Sequence, residues 1–155
     1  MAGVIRSGLR ARVWRDNDTL FAQMLIDAPL SYRAHYIEAG RLATAHHPVN
    51  AEREYRRALA LFPYDAGLQA SAADLYSRTN RCEAAVPLYR RSVALDSTNH
   101  LVRTRLIHCL VRLRNLKEAR AAAAASLVHG DLGAREDSIR VDSLERSMQA
   151  DRVDR

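Results

Sequence analysis

Three stretches of this 155-residue sequence share one pattern and decide the fold: AEREYRRALALFP at 51–63, AAVPLYRRSVALDS at 84–97 and ARAAAAASLVHGD at 119–131. Their small residues Ala51, Ala85 and Ala119 recur with a 34-residue period. Other positions keep this spacing: Tyr55 and Tyr89; Ala58, Ser92 and Ser126; Leu59, Val93 and Leu127. Apolar residues three or four apart share one helix face, and small residues let a neighbouring helix approach. The period therefore indicates stacked helix pairs.

A second set of matching positions precedes each stretch. Gly40, Ala73 and Ile107 correspond in this pattern. The interval from Gly40 to Ala73 is one residue shorter than the interval from Ala73 to Ile107, which equals the full period. The sequence thus predicts that one residue is missing from the first repeat, at the turn around His46, His47 and Pro48.

The helix pairs have recognisable ends. Asn50, Asp65 and Asn99 are expected to supply cap or turn chemistry, and Pro63 to stop a helix. Pro87 falls near the start of its helix, where a missing N–H does least harm. The predicted helices are 31–45, 50–62, 66–79, 82–96, 100–113 and 116–129.

Paired helices at this period, with small residues at the crossings and Pro63 at a unit's end, resemble tetratricopeptide (TPR) repeats. The resemblance implies an all-α TPR helix-turn-helix solenoid of about three repeats, at 31–65, 66–99 and 100–131. The third departs from the pattern at Ile107 and Asp131.

The flanks extend the same arrangement. Phe21, Met24, Leu25 and Pro29 lie one full period before Tyr55, Ala58, Leu59 and Pro63, so the segment 1–30 is expected to hold an N-terminal helix and a half repeat. The segment 132–155 is expected to form a polar capping helix at 135–149 and a frayed tail.

The N-terminal run RARVWRDNDTLFAQMLIDAPLSYRAHY resembles the junction before the TPR tail of membrane O-mannosyltransferase-like proteins, through Arg12, Trp14, Arg15, Asp16, Leu20, Phe21 and Pro29. The resemblance implies only the non-catalytic tail of such an enzyme. Asp16–Asn17–Asp18 has the form of a motif that holds a metal and a sugar phosphate. Because it precedes a helix, capping is the favoured interpretation.

Composition narrows the function. The net charge of +6 raises nucleic acid, anionic membrane or acidic peptide as partners, but no nucleic-acid-binding motif accompanies the scattered arginines. Cys82 and Cys109 are expected to be ordinary buried thiols. The six histidines lack metal-ligand spacing, and no nucleophile motif or phosphate loop is present. We therefore expect no catalysis, no metal and no cofactor.

In TPR proteins the inner face is built mainly by the first helix of each pair. Carried over, this gives a ligand-binding groove of Ile37, Arg41, Ala45, Ala70, Asp74, Arg78, Thr104, His108 and Arg112. Arg41, Asp74 and His108 are expected to stack as one ladder, and Arg78 and Arg112 as another. Arginines suit carboxylates or phosphates, so an acidic or C-terminal peptide is the expected ligand. The alternative is a solvated surface on which Asp74 neutralises Arg41.

Three functions follow from the sequence: a non-catalytic protein- or peptide-binding scaffold, the accessory tail of a membrane glycosyltransferase, and a homo-oligomer formed through the incomplete N-terminal unit. A membrane is expected as a partner only through a segment upstream of Met1. The compartment stays open. The Arg6–Arg15 cluster beside a membrane span would predict the cytoplasmic side, whereas the transferase-like proteins place their tails in the lumen or periplasm.

Overall fold

The computed structural model describes residues 17–131 and 133–153, without the side chains of 17, 18, 21, 22 and 150–153. All regular secondary structure in this part of the chain is α-helical, which confirms the predicted fold class. The helices are α1 (Asn17–Asp27), α2 (Tyr32–Thr44), α3 (Pro48–Leu61), α4 (Ala66–Arg78), α5 (Cys82–Leu95), α6 (His100–Arg112), α7 (Leu116–Val128) and α8 (Ala134–Val153). The chain forms two compact units, Met1–Pro63 and Tyr64–Arg155.

The period is constant from the first repeat to the third, so the prediction of a missing residue in the first repeat is wrong. First helices begin at 32, 66 and 100, and second helices at 48, 82 and 116. The turns between them repeat as well, since His46, Asn80 and Arg114 all have left-handed φ values of 61°, 61° and 55°. The error arose because Ala39 and Gly40 are both small. Ala39, with no exposed surface, occupies the helix crossing.

Two of the three residues predicted to supply cap or turn chemistry cap a helix in the structure. The side chains of Asp65 and Asn99 accept hydrogen bonds from the backbone N–H groups of Leu68 and Val102, at 2.9 and 3.3 Å. Asn50 was expected in a turn but lies inside α3, because Pro48 already begins that helix. Proline suits a first helical position, where its missing N–H has no intrahelical partner to lose.

Each unit has its own core of small residues and aromatic rings. In the first unit, Ala51 and Ala58 have no exposed surface and Tyr55 packs beside Tyr36, with ring centroids 6.2 Å apart. In the second, Ala85 and Ala119 are fully buried at the crossings, as predicted. Tyr55, Tyr76 and Tyr89 are buried and contribute to these cores.

The prediction of two ordinary thiols is wrong. Cys82 and Cys109 are joined by a disulfide, with their Cα atoms 5.2 Å apart. Both are buried, as expected for cysteine, but α5 and α6 bring them together across a sequence separation of 27. Spacing along the chain did not reveal this pairing.

The structure contains a helix at each end of the repeats, α1 and α8. The capping helix α8 runs to Val153, beyond the predicted 149, and buries Val141 completely. Arg120 of α7 donates a hydrogen bond to Asp142 of α8 at 2.9 Å. At the other end, α1 occupies the predicted half repeat. The transferase-like motif at 12–16 lies outside the described residues, as does the side chain of Phe21.

Candidate functional site

In the first unit, α2 carries two of the predicted groove residues. Ile37 is 43% exposed. Arg41 is bound by its own helix, because its Nε and Nη2 donate to the two carboxylate oxygens of Glu38, each at 2.8 Å. With the 34-residue period, Arg41 corresponds to Leu75 and Cys109 rather than to Asp74 and His108. The predicted ladder of Arg41, Asp74 and His108 is therefore wrong in its first member, whose place is taken by Gly40.

In the second unit, Asp74 of α4 is bound from two sides. The Tyr89 hydroxyl donates to its Oδ1 at 2.6 Å, and Arg105 of α6 pairs with its Oδ2. Burial and the bond to Asp74 both raise the pKa of Tyr89, so this hydroxyl stays a donor. The charge of Asp74 is thus balanced by Arg105 within the second unit.

His108 faces the capping helix. Its Nε2 lies 2.7 Å from Nη1 of Arg140 and 3.3 Å from Oδ1 of Asp137, both on α8. Arginine can only donate, so Nε2 is an acceptor in the shorter contact and cannot donate to Asp137 at the same time. Asp137 is 3% exposed. His108 is thus held by α8 while its ring remains partly exposed.

Arg78 and Arg112 carry charge that nearby acids do not balance. Both lie in the last turns of their helices, α4 and α6, and both are exposed. Arg112 donates to the carbonyl oxygen of Ser77 at 3.3 Å and to the side-chain oxygen of Asn80, which are uncharged. Among the residues that the structure describes, neither arginine has a carboxylate at ion-pair distance. Half-buried Thr104 lies on α6, one turn before His108.

A buried polar position that recurs in each repeat was missed in the sequence. The fourth residue of each first helix, and of α8, is polar and at most 7% exposed: His35, Gln69, Arg103 and Asp137. In two of them the side chain reaches the backbone carbonyl six positions earlier, His35 to Pro29 at 3.0 Å and Arg103 to Ser97. The recurrence of polar residues at the repeat period was the signal that would have found them.

Two of these residues also bind a buried carboxylate. Nδ1 of His35 lies 2.7 Å from Oε2 of Glu54. Nε and Nη2 of Arg103 contact the two oxygens of Asp131 at 2.6 and 2.5 Å. The hydrogen bond from Arg103 is the main reason that the pKa of Asp131 lies below its usual value, and Asp131 in turn raises the pKa of Arg103. Asp131, the departure from the TPR pattern, thus has a structural role.

The described residues hold no cluster of three or more His, Cys, Asp or Glu side chains placed to bind a metal. Within the same part of the chain, no helix has both the length and the apolar character required to cross a membrane.

No protein-family model matches the sequence, and no curated protein matches it. Solved structures do. YrrB, a TPR protein described as having an unusual peptide-binding site, matches with a TM-score of 0.75 at 17% identity, over 90% of this chain and 74% of its own. The first TPR of Spaghetti (RPAP3), bound to the HSP90 peptide SRMEEVD, gives 0.66 at 16%, over 75% and 94%. The Sgt2 TPR domain from Aspergillus fumigatus gives 0.63 at 17%, over 78% and 82%. At these identities the likeness concerns the fold alone, and that fold is an all-α helical solenoid of TPR repeats.

Proposed function

We propose that the chain is a non-catalytic scaffold that binds an acidic protein segment or peptide through the first helices of its second unit. The observation that carries the proposal is the charge of Arg78 and Arg112. Both side chains are exposed and have no carboxylate partner among the described residues, whereas Asp74, the acid of the predicted groove, is already paired with Arg105. The surface of α4 and α6 is therefore left with net positive charge.

This charge suits a carboxylate. A guanidinium presents a planar fork of N–H donors that binds both oxygens of a carboxylate, and charge-assisted bonds of this kind are about twice as strong as neutral ones. The fold supports the same ligand class by analogy, since the RPAP3 domain is bound to a peptide and YrrB is described as having a peptide-binding site. Thr104 and His108 lie on the same helix as Arg112 and are proposed as polar contacts for the peptide backbone. We also propose that the second and third repeats, whose first helices carry these residues, span 66–99 and 100–131.

A charge-reversal experiment tests the proposal. The probe is a fluorescein-labelled hexaglutamate peptide with a free C-terminus, and binding is followed by anisotropy at about physiological salt. We expect Arg78→Glu/Arg112→Glu to weaken binding at least about tenfold, because two charge-assisted contacts are lost and replaced by repulsion.

The matched control is Arg91→Glu/Lys117→Glu, which makes the same change in net charge at exposed positions of the second helices α5 and α7. We expect it to change affinity less than about twofold, since screening by salt limits distant charges. Equal loss in both variants would show that only net charge attracts the peptide. No loss in Arg78→Glu/Arg112→Glu would overturn the assignment of the surface.

A second candidate is the soluble tail of a membrane-bound, O-mannosyltransferase-like enzyme, which would position an acceptor or partner protein. It is favoured by the resemblance of the segment from Arg12 to Pro29 and places the domain in the periplasm or lumen. Sequencing the gene upstream of Met1 tests it, because a multi-span hydrophobic region is expected there. Self-association through the N-terminal half repeat is a separate proposal, and a strictly monomeric mass by light scattering would remove it.

A further inference from the structure

The Cys82–Cys109 disulfide does not belong to the repeat pattern. The equivalent positions, one period away, are Pro48 and Leu116 for Cys82, and Leu75 for Cys109. The other repeats thus place proline or leucine at the Cys82 position, and arginine (Arg41) or leucine at the Cys109 position, so neither cysteine recurs with the repeat. A Cα–Cα distance of 5.2 Å lies within the range that a disulfide spans without backbone distortion.

The disulfide lies beside the positively charged surface. Cys109 follows His108 on α6, and its Sγ lies 3.4 Å from the hydroxyl of Ser77, next to Arg78. The carbonyl oxygen of Ser77 in turn accepts a hydrogen bond from Arg112 at 3.3 Å. Cys82 is the first residue of α5, directly after the turn that ends α4. The disulfide thus joins α6 to the α4–α5 junction, close to Arg78 and Arg112.

We propose that this disulfide is a structural staple, formed in an oxidising compartment, which holds α6 against α4 and α5 and so fixes the spacing of Arg78 and Arg112. The role in spacing rests on the proposed function, whereas the staple itself does not. In its formation the two thiols lose two protons and two electrons to a disulfide oxidant such as glutathione disulfide, which becomes two thiols. Because both cysteines are at most 3% exposed, the bond in the folded protein is shielded from thiolate attack. Buried disulfides of this kind belong to oxidising environments.

The first experiment needs no ligand. The full chain is refolded with glutathione and glutathione disulfide, treated with iodoacetamide, and analysed by mass spectrometry. We expect no alkylation even when the chain is unfolded in denaturant without reductant, and two alkylations after reduction in denaturant. Alkylation of both cysteines in denaturant alone would overturn the staple.

Hydrogen exchange then tests what the staple holds. In reduced wild type and in Cys82→Ala/Cys109→Ala, amides of α6 are expected to exchange about a hundredfold faster than in the oxidised protein, because cross-linking restricts opening of the loop that it closes. Amides of α2 and α3 in the first unit serve as the internal control and should not change. Reduced wild type keeps both side chains, so it separates loss of the bond from loss of packing. Equal exchange of α6 in oxidised and reduced wild type would overturn the proposal.

Binding of the hexaglutamate peptide provides the last comparison. We expect reduced wild type to bind severalfold more weakly than oxidised wild type, and Cys82→Ala/Cys109→Ala to bind equally in the presence and absence of reductant. If the oxidised protein does not bind the peptide at all, the proposed function fails while the exchange result still decides the staple. If binding is strong and unaffected by reduction, the role of the disulfide in spacing the arginines is refuted.

Discussion

The buried ion pair between Arg103 and Asp131 provides the most demanding test of how the second unit is held together. Its side chains are 6% and 7% exposed, and two N–H groups face two carboxylate oxygens. The third contact, to the carbonyl of Ser97, leaves the guanidinium with acceptors on both sides. Asp131→Asn keeps the shape but removes the counter-charge, so a buried cation remains without compensation. Removing one partner of such a pair costs about 3–5 kcal/mol.

The double variant has a different expected result. In Arg103→Met/Asp131→Leu both charges disappear together, and apolar side chains of similar length occupy their places. Because the desolvation of both ions is removed with their attraction, the free energy of unfolding should stay within about 1 kcal/mol of wild type or rise. The single variants Arg103→Met and Asp131→Leu, the double variant and wild type thus form a cycle with a coupling energy of several kcal/mol.

Urea unfolding followed by circular dichroism measures Asp131→Asn and the four proteins of the cycle, with a common m-value as the check that the unfolded states are comparable. The pH dependence adds a second readout. Arg103 lowers the pKa of Asp131, so the pair stabilises the fold above the unfolded pKa of about 3.9. This stability is lost as pH falls through the lower folded pKa. A cost below about 1 kcal/mol for Asp131→Asn at neutral pH would refute the buried pair, as would a double variant that loses the sum of both single losses.

Two further predictions concern the helix crossing and the first unit. Ala85→Leu should destabilise the protein by about 1–3 kcal/mol in urea unfolding, because Ala85 has no exposed surface and the crossing cannot widen without strain. The same change at exposed Ala94 of α5 is the control and should cost little. Burial alone would raise the pKa of Glu54, but hydrogen bonds from His35 and Arg53 and the charge of Arg57 outweigh it and lower that pKa. Glu54 therefore stabilises the fold above its unfolded pKa of about 4.3, and wild type should lose more stability than Glu54→Gln as pH falls from 7 to about 3. Equal losses in the two proteins would contradict this.

The repeat itself could be predicted from the sequence because it depends on local residues of few types. Alanines at the crossings and caps such as Asp65 and Asn99 each act within one or two helical turns, so their spacing along the chain reports their place in the fold. The error at Ala39 and Gly40 has the same origin. In the sequence alone, Ala39 and Gly40 are both small enough to occupy the crossing. Only the helix ends and the left-handed turn at His46 in the structure decide between them.

The contacts that shape the candidate site were beyond this kind of prediction because they join successive repeats. Their sequence separations are 27 for the disulfide and 31 for Arg105–Asp74. For Arg112–Asn80 and Arg140–His108 the separation is 32 in each case. All are shorter than the repeat period, so a residue of one repeat contacts a position that lies after its equivalent in the preceding repeat. The ladder of Arg41, Asp74 and His108 was predicted by comparing equivalent positions of the repeats. Such a comparison finds residues that resemble each other rather than residues that are in contact. A search for opposite charges at separations a few positions below the period would have identified Arg105 as the partner of Asp74, which leaves Arg78 and Arg112 without a carboxylate partner among the described residues.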